Sequence, residues 1–267
     1  MSETTALSWP HNKILYTKDG RVAVVTKNRP DKVNAMDEEM ESAYDEALAD
    51  AEADGEIRVI ILTGTGRGWH PGANPQMFVD GKKNMPPWWR PHGERGVSPL
   101  RRSDKITIGA INGHAYGAGF GEALWCDLRV MAESANFGPS WARFGAPLEN
   151  GTSVNLTNLV GPAKALELYL LREPISAAKA LELGLVNYVV PDDQLQVFSM
   201  DLAQRVAKNA PYATALSKYM VYKYATPDVE SHLELFRFAE ETTGRSEDSK
   251  EGGAAFREKR EPEFHGR

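Results

Sequence analysis

The chain opens with two apolar-rich runs, "ILYTKDGRVAVVTKN" from Ile14 to Asn28, joined at Asp19-Gly20. Alternating apolar residues around such a dipeptide predict a β-hairpin. The period then lengthens. "MDEEMESAYDEALADAEADG" predicts a helix, with acids in its first turn and Gly55 after its last, as the helix dipole and a glycine C-cap favour. "IRVIILTGTG" and "KITIGAING" are short, nearly continuous apolar runs and predict buried strands. Strand, helix and strand in alternation is the order of an α/β core. From Ser176 onward "SAAKALELGLV", "QLQVFSMDLAQRVAKNA", "YATALSKYMVYKYA" and "VESHLELFRFAEETTG" follow a helical period, broken at Pro191, Pro211 and Pro227. A helical C-terminal part is therefore expected from about residue 200.

Composition narrows the function classes. With 267 residues, 42% of them hydrophobic, the chain can bury one large core. A formal charge of −6 and a pI near 5.6 give no nucleic-acid footprint. The N-terminal "MSETTALSWPHN" has neither the basic flank nor the apolar run of a signal peptide, and no segment is long enough to span a bilayer, so a cytoplasmic protein with no membrane partner is expected. Cys126 is the single cysteine, which excludes an internal disulfide, and its apolar neighbours mark it as a core thiol. The six histidines show no metal-ligand spacing, and no metal site is expected. Gly81 to Ser103, "GKKNMPPWWRPHGERGVSPLRRS", has no period. It reads either as a solvated insertion or as a pocket wall in which Trp88 and Trp89 cover an apolar ligand and basic residues such as Lys82, Lys83 and Arg90 meet an anion.

The candidate chemistry centres on Ile106 to Val130, "ITIGAINGHAYGAGFGEALWCDLRV". Here an apolar run enters three glycines, Gly117, Gly119 and Gly121, and then a helix-like segment. Glycines opening a helix can hold phosphate. However, G-x-G-x-G is not the dinucleotide fingerprint, no acid follows at its spacing, and no Gly-Lys-Ser/Thr follows for a P-loop. Two readings remain open from the residues themselves: a tight turn with close helix packing, or a carbonyl oxygen held by backbone N–H groups.

Several segments, in order from about residue 13 to 265, resemble the crotonase superfamily of enoyl-CoA hydratases and isomerases. "NRPDKVNAM" resembles its CoA-binding turn, "VIILTGTGRGWHPGANPQM" its first oxyanion-loop segment, and the glycine-rich stretch its second. "ANFGPSWARFGAPLENGTSVNLTNLVG" is similar to its acid-bearing segment, and "AKALELGLVNYVVPDDQL" and "SEDSKEGGAAFREKREPEF" also match. The resemblance implies an α/β fold, a spiral of strand-strand-helix units over residues 1–199. Residues 200–267 would form a helical oligomerisation region giving homotrimers or dimers of trimers. It further implies an acyl-CoA thioester as substrate, with coenzyme A part of that substrate and no separate cofactor. The two thioester N–H donors fall on Ala73 and Ala118, with Asn74, Gln76, Gly117 and Trp141 among the substrate-binding positions. Coenzyme A would meet Arg29 or Lys32 at phosphate and the backbone of Val33 and Ala35 at adenine, with Phe256 and Lys259 supplied by a neighbouring subunit. Pro71 and Asn74 depart from the small and acidic residues usual there.

The acids point to the reaction. A hydratase of this superfamily carries two glutamates, at the positions of Gly121 and Trp141 here. Glu122 is adjacent to the first, but one residue along a helix turns a side chain by about 100°, so it reads as a carboxylate paired with a neighbour or facing a subunit contact. Glu149, in "FGAPLENG", matches the lone catalytic glutamate of peroxisomal-type Δ3,Δ2-enoyl-CoA isomerases, with Trp141 and Phe144 expected to give it an apolar setting. One carboxylate suffices to take a proton from C2 and return it at C4. The alternatives are a hydratase with an atypical acid set and a non-catalytic acyl-CoA-binding protein. A third relative in the superfamily, 4-chlorobenzoyl-CoA dehalogenase, has glycine and tryptophan at the places of Gly121 and Trp141 but a shorter aspartate at that of Glu149.

Overall fold

The computed structural model describes residues 7–8, 12–72, 99–149, 151–225, 241 and 243–263. Ala73, Asn74, Gln76, the tryptophan-bearing part of the 81–103 segment and most of "VESHLELFRFAEETTG" lie outside them. The elements in chain order are β1 (Leu7–Ser8), β2 (Ile14–Asp19), β3 (Val22–Lys27), α1 (Glu38–Ala53), β4 (Val59–Gly64), β5 (Gly68–His70), β6 (Ile106–Ile111), β7 (His114–Tyr116), α2 (Ala118–Trp125), β8 (Leu128–Ala132) and β9 (Asn136–Gly138). They continue with α3 (Thr152–Val160), α4 (Pro162–Leu171), β10 (Ile175–Ser176), α5 (Ala177–Glu182), β11 (Tyr188–Val190), α6 (Leu195–Val206), α7 (Pro211–Ala225) and α8 (Glu247–Glu258).

The described residues form two sheets. The larger has seven strands in the order β1-β2-β3-β4-β6-β8-β11, and the smaller has four, β10-β9-β7-β5. The order explains the architecture: β4 then β5, β6 then β7, and β8 then β9 each place one strand in the large sheet and the next in the small one. This is the expected spiral of strand-strand-helix turns. From β3 onward the large sheet is parallel, with Val22 opposite Val59 and Val59 opposite Ile106. Parallel strands need both faces covered, and all six residues of β4 are buried.

The hairpin forms where the alternation places it, although its loop is Gly20-Arg21, because Asp19 already pairs with Val22. Gly20 alone supplies the positive φ, at 57°. Helix α1 starts on Asp37, whose side chain accepts from Met40 N at 3.0 Å as an N-cap. It ends at Ala53 with Asp54 as C-cap in extended conformation, so Gly55 does not cap it. Helix α6 runs across residue 200 and packs on β4 and β6, with Gln196 Nε2 donating to Thr63 Oγ1 at 3.0 Å. Leu195, Leu202 and Ala203 join the central core there. Among the described residues no helix is long and apolar enough to cross a membrane, and no cluster of His, Cys, Asp and Glu could hold a metal.

Candidate active site

The glycine-rich stretch becomes β7, a turn and α2. Gly117 takes φ 50° and ψ −120° as the N-cap, a conformation that suits glycine. Its N–H donates to Gly138 O at 3.0 Å, which ties the turn to β9. The first intrahelical bond runs from Gly121 N to Gly117 O at 2.9 Å. The N–H groups of Ala118, Gly119 and Phe120 therefore precede the helical ladder, at the positive end of the helix dipole.

The segment after β5 runs alongside this turn. A β-carbon on Gly119 would fall 1.9 Å from His70 O. One on Gly72 would fall 2.8 Å from Tyr116 O and 3.5 Å from Ala118 N. Both glycines are required by this close backbone approach, which brings the residue preceding Ala73 to the start of α2. Such a pair of backbone segments can present N–H groups to one oxygen. Ala73 itself, with Asn74 and Gln76, lies outside the described residues.

The acid-bearing segment follows β9. Trp141 to Phe144 form a 3-10 turn closed by Gly145 at φ 63°, and Ala146 O accepts from Tyr169 Oη of α4 at 3.0 Å. Trp141 is buried, with its ring centroid 5.9 Å from that of Phe120, which stacks on Phe137 at 4.6 Å. Trp141 Nε1 donates to Glu149 Oε1 at 2.8 Å, a charge-assisted hydrogen bond that fixes the direction of the carboxylate. Glu149 O in turn accepts from Thr152 N at 2.8 Å at the entry to α3. Phe144 packs on Phe256 of α8 at 5.3 Å between ring centroids.

The position of the usual first glutamate, Gly121, faces the same place. A β-carbon there would lie 2.4 Å from Thr152 Oγ1 and 3.9 Å from Trp141 Cζ2. Thr152 and Trp141 together fill the space that a second carboxylate would need. Glu122 points elsewhere: its Oε2 is 2.8 Å from Lys27 Nζ in a buried ion pair. Burial pushes the Glu122 carboxyl up, and the Lys27 charge beside it brings it back below its ordinary value. Burial holds His70 down to about 4, so it is neutral near pH 7 and accepts from Gly72 N through Nδ1 at 3.4 Å. Burial pushes the Cys126 thiol up to about 12, and it is inert at neutral pH.

The expected CoA turn is a 3-10 turn, Pro30–Lys32, followed by Val33 and Asn34 in the left-handed region at φ 56° and 64°. Asn34 holds it there, its side chain accepting from Arg29 N at 2.7 Å and donating to Gly68 O at 2.6 Å. A β-carbon on Gly68 would lie 2.3 Å from Val33 Cγ1, so the turn rests directly on the start of β5. The Arg29 guanidinium bonds Ala35 O at 3.1 Å and pairs with Asp37 at 2.7 Å, whereas Lys32 is exposed. Phe256 and Lys259 lie at the end of α8, Lys259 as its left-handed C-cap. Within one chain α8 packs on the Trp141–Phe144 turn, with Arg143 over the Phe256 ring at 6.0 Å.

Comparison with known proteins adds the following. The family described as Enoyl-CoA hydratase/isomerase matches residues 17–267. Short-chain-enoyl-CoA hydratase of Clostridium acetobutylicum is 33% identical over 261 residues, 94% of this chain and 97% of that one. 1,2-Epoxyphenylacetyl-CoA isomerase of Escherichia coli is 34% identical over 250 residues, 92% of this chain and 95% of that one. Among solved structures, carnitinyl-CoA hydratase from Mycobacterium avium matches with a TM-score of 0.83 at 32% identity, covering 96% of this chain and 99% of its own.

Proposed function

Because the chain belongs to the enoyl-CoA hydratase/isomerase family of the crotonase superfamily, we propose that this acyl-CoA enzyme shifts the double bond of a 3-enoyl-CoA to the 2-position. In this reading the thioester oxygen rests on the N–H groups of Ala73 and Ala118. Glu149 takes a proton from C2, negative charge spreads from the thioester oxygen to C4, and the same carboxyl returns the proton at C4. Atoms balance without water or an external redox partner. Lys32 and Lys259 meet the phosphates of coenzyme A, with Val33, Ala35 and Phe256 beside its nucleotide end.

The observation that carries the proposal is the filled site opposite Glu149. Trp141 Nε1 holds Glu149 Oε1 at 2.8 Å, and Thr152 Oγ1 stands 2.4 Å from where a Gly121 β-carbon would be. A single oriented carboxylate suits a proton shuttle between two carbons. Adding water usually engages a second acid or base, and both usual positions lack one. Thioester chemistry at such backbone donors is stabilised because the charge develops on the oxygen, where the dipoles are already aimed.

A hydratase reading is favoured by the names of relatives such as the Clostridium enzyme. One assay separates the two: the protein is given a 3-enoyl-CoA and, separately, a 2-enoyl-CoA, and the absorbance of the conjugated thioester is followed. The isomerase reading expects absorbance to rise with the first and to stay constant with the second. Rapid loss of absorbance with the second and none gained with the first contradicts it, and no change in either, with binding intact, supports a carrier.

A further inference from the structure

Lys27 ends β3 on the face of Val25 and is fully buried. Its Nζ is 2.8 Å from Glu122 Oε2, 4.0 Å from the Trp69 ring centroid and 5.1 Å from that of Tyr44. Charge and two aromatic faces hold the ammonium in place. An apolar pair of similar volume is often as stable as a buried ion pair or more so. Fold stability alone gives no reason for these two charges.

Their location gives one. Glu122 stands one turn into α2, whose first N–H groups belong to Ala118 and its neighbours. A full negative charge there offsets the positive potential of the helix N-terminus and repels any anion forming on it. We infer that Lys27 is a positioning residue that neutralises Glu122 one turn into α2, leaving the helix terminus able to stabilise the thioester oxyanion. The inference rests on the reading of Ala118 as an oxyanion donor.

Four residues of α-helix rise about 6 Å; taking roughly 8 Å to the side-chain charge and an effective dielectric constant of about 20, an ionised Glu122 without its partner lowers kcat roughly 30-fold. Three variants test this: Lys27→Met, Lys27→Met/Glu122→Leu and Glu122→Gln. The expected result, read at the alkaline end of the pH profile where Glu122 stays ionised, is the roughly 30-fold loss of kcat in Lys27→Met with KM little changed, most of it recovered in the double variant, and no comparable loss in Glu122→Gln. Acidification should narrow the gap between Lys27→Met and the double variant, because a buried Glu122 without its lysine takes up a proton. The other titratable groups facing Glu122 are His70 from β5, Tyr44 and Asp45 from α1, and Cys126 beyond the end of α2. They are common to both variants, so the ratio reports on Glu122.

Equal kcat in Lys27→Met and the double variant at every pH, with differences only in thermal stability, overturns the inference. If Lys27→Met does not fold, Glu122→Gln decides: a loss near 30-fold there has the wrong sign and also overturns it. Ala118→Val is measured in parallel. Full turnover in that variant removes the oxyanion reading itself, whereas a defect there, together with equal Lys27→Met and double variants, removes only the role of Lys27.

Discussion

Gly121→Ala tests the claim that Thr152 fills the place of a second acid. The new methyl group would lie 2.4 Å from Thr152 Oγ1, about 1 Å inside ordinary contact. Overpacking of that kind costs about 1–3 kcal/mol. Replacing glycine by alanine inside a helix stabilises by about 1 kcal/mol, which offsets part of the cost. After Thr152→Ala the nearest atom of residue 152 is its Cβ, 3.8 Å away, and only the helix gain remains. Thr152 Oγ1 has no aligned hydrogen bond, so its removal leaves no buried partner unsatisfied. Gly121→Ala should therefore stabilise the Thr152→Ala protein by about 1 kcal/mol. In the wild-type background that gain should be cancelled or reversed, a coupling of about 1–3 kcal/mol. Urea titration of the four proteins measures the coupling. Equal shifts in both backgrounds refute the reasoning.

Ala118→Val should fold yet lose turnover, because the β-branched side chain narrows the approach to the N–H; one oxyanion donor is worth roughly 3 kcal/mol, and wild-type kcat in a folded variant removes Ala118 from the mechanism. Lys32→Ala and Lys259→Ala should each weaken coenzyme A binding in calorimetric titration, and parent-like binding in both contradicts the placement of the phosphates. We also propose a homotrimer or dimer of trimers. Tyr212, Leu216, Tyr219 and Met220 form an exposed stripe along one face of α7, so Leu216→Asp/Met220→Asp should dissociate the assembly in ultracentrifugation, and a monomeric wild-type protein counts against it.

The long apolar runs were readable because a buried parallel strand writes continuous hydrophobicity into the sequence, as Val59 to Leu62 do. The small sheet was not. Its strands have two or three residues each, too few to establish a period, and their partners are distant in sequence. The strand Tyr188–Val190 was hidden in the same way behind the helical pattern of "SAAKALELGLV". Val33 at φ 56° runs against the preference of a β-branched residue and is imposed by the Asn34 contacts. At the site, the resemblance singled out Glu149 and identified Gly121 and Trp141 as replacements. The bond between Trp141 and Glu149 crosses an aperiodic loop and could not be read. Lys27 was visible only as a charge on the inward face of an alternating strand. Glu122 was expected to pair with a neighbour, and the fold supplies that neighbour from a different element.

The most direct test of the central claim is the turnover of a 3-enoyl-CoA by Glu149→Gln. The amide preserves the size of the side chain and can still accept from Trp141 Nε1, but it cannot take the proton from C2. The rate should fall on the order of 100-fold to 10,000-fold with substrate binding nearly unchanged. Full isomerase activity in Glu149→Gln would contradict the account.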